Sequence, residues 1–132
     1  MSNKLKELII NEEELLREIL ADILKDYVNI RRNGEIVYKN LEGLDAEKKV
    51  IIGYLAHLAT KLLGLKDTEK VSAKKISEEM AMNYNTVRPI ISKLVRARIL
   101  NREGRGQYYI SLSKVRIIKE KYFGEGKKKQ VR

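Results

Sequence analysis

Apolar residues recur at helical spacing from the first third of the chain. Leu15, Leu16, Ile19, Leu20, Ile23, Leu24 and Tyr27 line one broad face, and Arg17, Glu18, Asp22, Lys25 and Asp26 take the other. The pattern predicts a helix over about 12–26. Asn11 stands before it as an N-cap that can accept from a free amide, with Glu14 answering and Ile10 stapling onto Leu15. Glu12, Glu13 and Glu14 suit the positive end of the helix dipole. The period then shortens: Val28 to Tyr38 holds two short β-prone runs around Asn33-Gly34, a pair that tolerates the positive φ of a tight hairpin. A two-residue turn there sets Arg32 opposite Glu35 and Ile30 opposite Val37.

Leu41 to Leu44 is a connection ending at Asp45, a natural N-cap. Val50, Ile51, Tyr54, Leu55, Leu58, Ala59, Leu62 and Leu63 then repeat at helical spacing until Gly64 closes the run. This second long helix reads as the central core element, with His57 on its apolar side as a packing or surface residue. Lys66 to Lys70 is a loop. Ser72 caps a short helix from Ala73 to about Ala81, with Ile76 and Met80 inward, and Asn83 to Asn85 make a turn. The next helix runs from about Tyr84 to Arg98 on an inner face of Val87, Ile91, Leu94 and Val95. Strand, glycine turn and strand follow over 99–111, with arginines at the tip. Leu112, Val115, Ile118 and Tyr122 predict a closing helix over 112–123, with Lys114, Arg116, Lys119 and Lys121 outside. Residues 124–132, with lysines at 127–129, are expected to form a disordered tail. The fold class is mainly α with small β-hairpins, α+β.

A chain of 132 residues with 43% apolar positions can build one packed core. Its formal charge is +10, and the excess is uneven. Residues 1–28 hold four bases and seven acids, residues 29–79 ten and eight, and residues 80–132 fourteen bases against only Glu103, Glu120 and Glu125. Any footprint on a polyanion therefore belongs to the C-terminal part. No apolar run approaches the roughly 18 residues that cross a bilayer, and residues 1–14 are polar rather than signal-like, so the expectation is a cytoplasmic protein without a membrane partner. With no cysteine and one histidine, the chain lacks disulfides, thiolate or histidine metal clusters and cysteine nucleophiles. It also lacks a phosphate-cradling Gly-Lys-Ser/Thr loop and a serine elbow, and Gly104-Arg105-Gly106 is a hairpin turn rather than a dinucleotide fingerprint. The expectation is no enzyme, no cofactor and no metal. The Lys-, Glu- and Ile-rich makeup has a thermophile flavour.

The succession of long helix, short helix, turn, helix and basic hairpin is informative as a whole. The segments Val71 to Ala81 (VSAKKISEEMA), Asn83 to Leu94 (NYNTVRPIISKL) and the hairpin from Ile99-Leu100 to Tyr109-Ile110 carry the pattern. From about Leu44 to Ser111, roughly half the chain, it resembles a winged helix-turn-helix domain of the type frequent in archaeal and bacterial transcription regulators. The resemblance implies a recognition helix from Tyr84, a wing tip at Glu103 to Gly106 and double-stranded DNA as partner. It divides the chain into residues 1–43 as an N-terminal helix and hairpin extension, 44–123 as the winged domain and 124–132 as a basic tail.

A helix laid in the major groove presents its N-terminal side chains to base edges while flanking cations hold phosphates. Tyr84, Asn85, Thr86 and Arg88 are the candidates for bases, Asn85 towards adenine and Arg88 towards guanine. Lys93, Arg96, Arg102 and Arg105 are the candidate phosphate clamps. Pro89 interrupts the helix unless it falls in the first turn, which suggests an effective start near Asn85. Ile90 is expected at or near the outward face, where it offers only methyl contact. The apolar face of residues 12–27 either serves a homodimer or packs on the central helix. Two alternatives stay open: a protein-interaction module using Pro89, Ile90 and the first hairpin, and an RNA or single-strand binder stacking bases on Tyr84, Tyr108 and Tyr109.

Overall fold

The computed structural model describes residues 11–124 together with Leu5 and Leu8. The Ile10 staple and the tail beyond Gly124 lie outside the described residues. Among those described, the chain is a mixed α+β protein with five helices and two small antiparallel sheets. Helix α1 (Glu12–Leu24) leads into the hairpin β1 (Val28–Ile30) and β2 (Ile36–Tyr38). A 3-10 turn (Leu41–Gly43) precedes helix α2 (Ala46–Leu62). Strand β3 (Val71–Ser72) runs directly into α3 (Ala73–Glu79), followed by α4 (Tyr84–Arg96), β4 (Asn101–Glu103) and β5 (Gln107–Tyr109). A second 3-10 turn (Leu112–Lys114) opens α5 (Val115–Tyr122).

The helix starts form where the side chains can satisfy the free amides. Asn11, Asp45, Ser72 and Asn83 accept from the backbone amides of Glu14, Lys48, Lys75 and Asn85. The helix ends are less orthodox. Met82 N donates to Ser77 O (2.8 Å) and Ala81 N to Glu78 O (3.2 Å), and Ile99 N and Arg98 N repeat the arrangement on Leu94 O and Val95 O. Both are Schellman ends, and their left-handed positions hold Ala81 (φ 55°) and Arg98 (φ 64°) instead of glycine. These ends stop α3 and α4 two residues earlier than the apolar pattern implied.

Helix α2 is the centre of the core. Val50 to Leu58 are buried without a break, so neighbours cover the helix all round. Helices α1, α3 and α4 pack on it. Gly53 permits the approach of α3, since a Cβ there would meet Ile76 Cδ1 and Met80 Cε at 3.0 Å. The fully buried Tyr54 ties α2 to β3 by donating its hydroxyl to Val71 O (3.1 Å). One apolar cluster joins Leu16, Leu20, Ile23 and Leu24 of α1 to Ile76, Val87, Leu94, Ile110, Val115 and Ile118. It crosses the division expected at residue 43.

The first hairpin differs in register from the sequence expectation. Ile30 faces Ile36, Asn29 faces Val37 and Val28 faces Tyr38. A two-residue hairpin turn needs positive φ at Asn33, alone or together with Gly34, and only Gly34 has it (φ 92°). The chain instead makes a three-residue loop: Gly34 N donates to Arg31 O and Arg31 N to Glu35 O, both at 2.8 Å. The Gly34 Cα also lies against the Leu65 carbonyl, where a Cβ would sit 3.1 Å away. The second sheet has the order β3-β5-β4, with Val71 opposite Tyr108 and Arg102 opposite Tyr108 on the other side. Strand β3 was not foreseen, because two residues are too few to show a period.

Candidate nucleic-acid interface

Helix α4 buries Val87, Ile91 and Leu94 and exposes Asn85, Thr86, Arg88, Pro89, Ser92, Lys93 and Arg96. It begins at Tyr84 under the Asn83 cap, so Pro89 stands in the second turn rather than the first. There it withholds the amide that would have met the Asn85 carbonyl. Ile90, expected at the outward face, is half-buried and packs against the core. The helix phase that buries Val87, Ile91 and Leu94 places it at the edge of the inner face. Pro89, by contrast, is exposed.

The exposed side of α4 divides into two flanks with different chemistry. Tyr84, Arg88 and Ser92, each four residues apart, face β5, and the Arg88 guanidinium lies over the Tyr84 ring at 5.7 Å. Tyr108 of β5 stands on the same cavity. Arg102 is directly opposite Tyr108 in the antiparallel pair, so its side chain leaves the same face of the sheet. Arg105 stands exposed at the hairpin tip between Gly104 and Gly106, both at positive φ. Arg88, Arg96, Arg102 and Arg105 have no ion-pair partner among the described residues.

Lys93 lies on the other flank and does not join them. Its Nζ donates to Glu47 Oε1 of α2 at 2.9 Å, while Tyr122 donates to Glu47 Oε2 at 2.7 Å. Burial works to raise the Glu47 carboxyl, but the bonds from Lys93 and Tyr122 outweigh it and hold the group below its usual range. Lys93, read as a phosphate clamp from the sequence, closes a contact between α4, α2 and α5 while its side chain stays 62% exposed. Two more C-terminal cations are paired inside the chain: Arg116 with Glu12 (3.0 Å) and Lys119 with Asp22 (3.5 Å). The acidic α1 thus neutralises part of the basic α5.

The expected homodimer face is in use within the chain. Leu16, Leu20, Ile23 and Leu24 are buried, with α1 packed on α2 and α5. Helix α1 leaves open a groove of about 450 Å3 shared with β1 and the end of α2, where Leu63 is 61% exposed.

Sequence reasoning missed a half-buried polar cluster at the end of α3. His57 Nε2 donates to Glu79 Oε1 (2.9 Å) and Oε2 (3.1 Å), and the Tyr38 hydroxyl donates to the same Oε1 (3.0 Å). Burial works to raise the Glu79 carboxyl, but His57, Tyr38 and then Lys75 outweigh it and hold the group below its ordinary range. Burial, helped by Glu79, pushes the Tyr38 phenol well up. The cluster clamps the first hairpin and α2 to the helix that precedes α4. No local signal could have revealed it, since its members lie 22 and 41 residues apart.

Among the described residues no group of acids and histidines is arranged to hold a metal ion, and no helix is long and apolar enough to cross a membrane. Compared with protein-family models, with curated proteins and with solved structures, the chain matches none.

Proposed function

We propose that this protein binds double-stranded DNA as a winged helix-turn-helix protein and acts as a transcription regulator. In this reading α3 and α4 are the helix-turn-helix, α4 is the recognition helix, and β4 with β5 is the wing. The observation that carries it is the array of Arg88, Arg96, Arg102 and Arg105 on α4 and the adjoining hairpin, exposed and unpaired among the described residues, in a stretch without an acid from 80 to 102. Asn85 at the start of α4 reads a base, and Arg88, on the flank that faces β5, meets a phosphate. Thr86 lies beside Asn85, and Arg96, Arg102 and Arg105 hold phosphates. Lys93 is left out of the contact set because Glu47 already holds it.

The test is fluorescence anisotropy of a mixed-sequence duplex titrated at several salt concentrations. Three or four phosphate contacts predict an affinity that falls with a log–log salt slope of roughly −3. Absence of binding even at low salt would sink the reading. One observation favours a second reading, a protein-interaction module: the apolar groove beside Leu63. A complex made there would be nearly indifferent to salt.

A further inference from the structure

Tyr84, Arg88 and Ser92 on α4 and Tyr108 on β5 wall an open cavity of about 370 Å3, within the span of roughly 300–1,000 Å3 usual for small-ligand sites. Ala73, Pro89 and Ile91 complete it, and no carboxylate lines it. Its chemistry narrows the occupant. Two phenol rings line it, one of them under the Arg88 guanidinium at 5.7 Å, and aromatic rings of this kind suit a planar partner. Arg88 and the hydroxyls offer donors, which suit an occupant with acceptors and negative charge. A heteroaromatic base carrying a phosphate meets all of these conditions at this size. A base inside a duplex shows its faces only to its stacked neighbours, so the occupant has to be unpaired.

We infer that this cavity takes one unpaired nucleotide of a bound strand, its base against the tyrosine rings and its phosphate at Arg88. The inference rests on the nucleic-acid reading above. It extends that reading from groove contact to a preference for DNA with an extruded nucleotide.

The experiment uses the full chain and two duplexes of one sequence, one perfect and one carrying a single extrahelical 2-aminopurine. The bulged duplex is expected to bind about 10-fold more tightly, a modest stacking gain for one base, and its 2-aminopurine emission is expected to fall on binding. Tyr84 is 45% exposed at the start of α4, so replacing it leaves the core intact. Tyr84→Ala should remove both effects, and Tyr84→Phe should keep both, because the ring carries the stacking. Equal affinity for the two duplexes with unchanged emission would overturn the inference and leave duplex binding standing. Failure to bind either duplex at low salt would bring down the nucleic-acid reading itself. Binding of free adenosine monophosphate without a preference between the duplexes would also overturn it, since the occupant would then not be part of a strand.

Discussion

Asn85 and Arg105 carry exposed polar groups at opposite ends of the candidate interface, and the roles proposed for them differ in kind. A base reader changes selectivity, whereas a phosphate clamp changes affinity on every sequence alike. Arg105→Ala is therefore expected to weaken duplex binding uniformly and to make the salt slope shallower by roughly one. Asn85→Ala should leave that slope unchanged and relax preference at one base step. Equal losses on all sequences from both variants would count against Asn85 as a reader. Glu79 makes a different prediction. Its folded pKa lies below its unfolded value, so its stabilisation is complete above about pH 4.5 and disappears as pH falls through the lower folded value. Glu79→Gln should then cost about 1–3 kcal/mol at pH 7. Chemical denaturation should show the gap closing as pH falls below about 4.5. A gap of constant size would remove the carboxylate from the account.

At the scale of elements, α3 and α4 hold two local costs. Ala81 sits in a left-handed C′ position that glycine adopts freely. Ala81→Gly should raise stability by about 0.5–1 kcal/mol, the left-handed strain less the extra entropy of an unfolded glycine. Pro89 in the second turn of α4 removes one helical bond. Pro89→Ala should stabilise by about 2 kcal/mol, roughly 3 from the helix less about 1 from unfolded-chain entropy. Thermal unfolding checks both, and a fall in Tm for Pro89→Ala would mean that the proline fits its turn without strain. The element pattern itself was largely legible. Asn11, Asp45 and Ser72 announced three helix starts by cap chemistry, and the five apolar repeats marked the helices, whereas Asn83, read as part of a turn, caps the fourth. The ends were less legible, because Ala81 and Arg98 stop their helices by hydrogen bonds that no residue preference signals.

The acidic α1 and basic α5 meet in the folded molecule, so charge counted along the chain overstates what a partner meets. Arg116, Lys119 and Lys93 answer Glu12, Asp22 and Glu47. Arg88 and Arg96 of α4 and Arg102 and Arg105 of the second hairpin keep no ion-pair partner among the described residues. The same packing bears on self-association. With Leu16, Leu20, Ile23 and Leu24 inside the core, a dimer built on α1 is left with Leu15 and with the groove beside Leu63, the larger apolar surface. Leu63→Asp is expected to abolish such a dimer in sedimentation velocity, and a dimer that survives the change uses another surface.

The sequence by itself determined the order and kind of the elements, because helical period, caps and turn residues act between positions a few residues apart. It also determined where positive charge accumulates. Only the tertiary structure decided which cations remain available, since Lys93 and Glu47 are 46 residues apart in the chain and 2.9 Å apart in space. It likewise decided the register of the first hairpin, where the loop takes its positive φ at Gly34 alone, against the Leu65 carbonyl. The cavity between Tyr84 and Tyr108 belongs to the same class. Its walls come from a helix and a strand that meet only when α3, α4 and β5 close on the central helix.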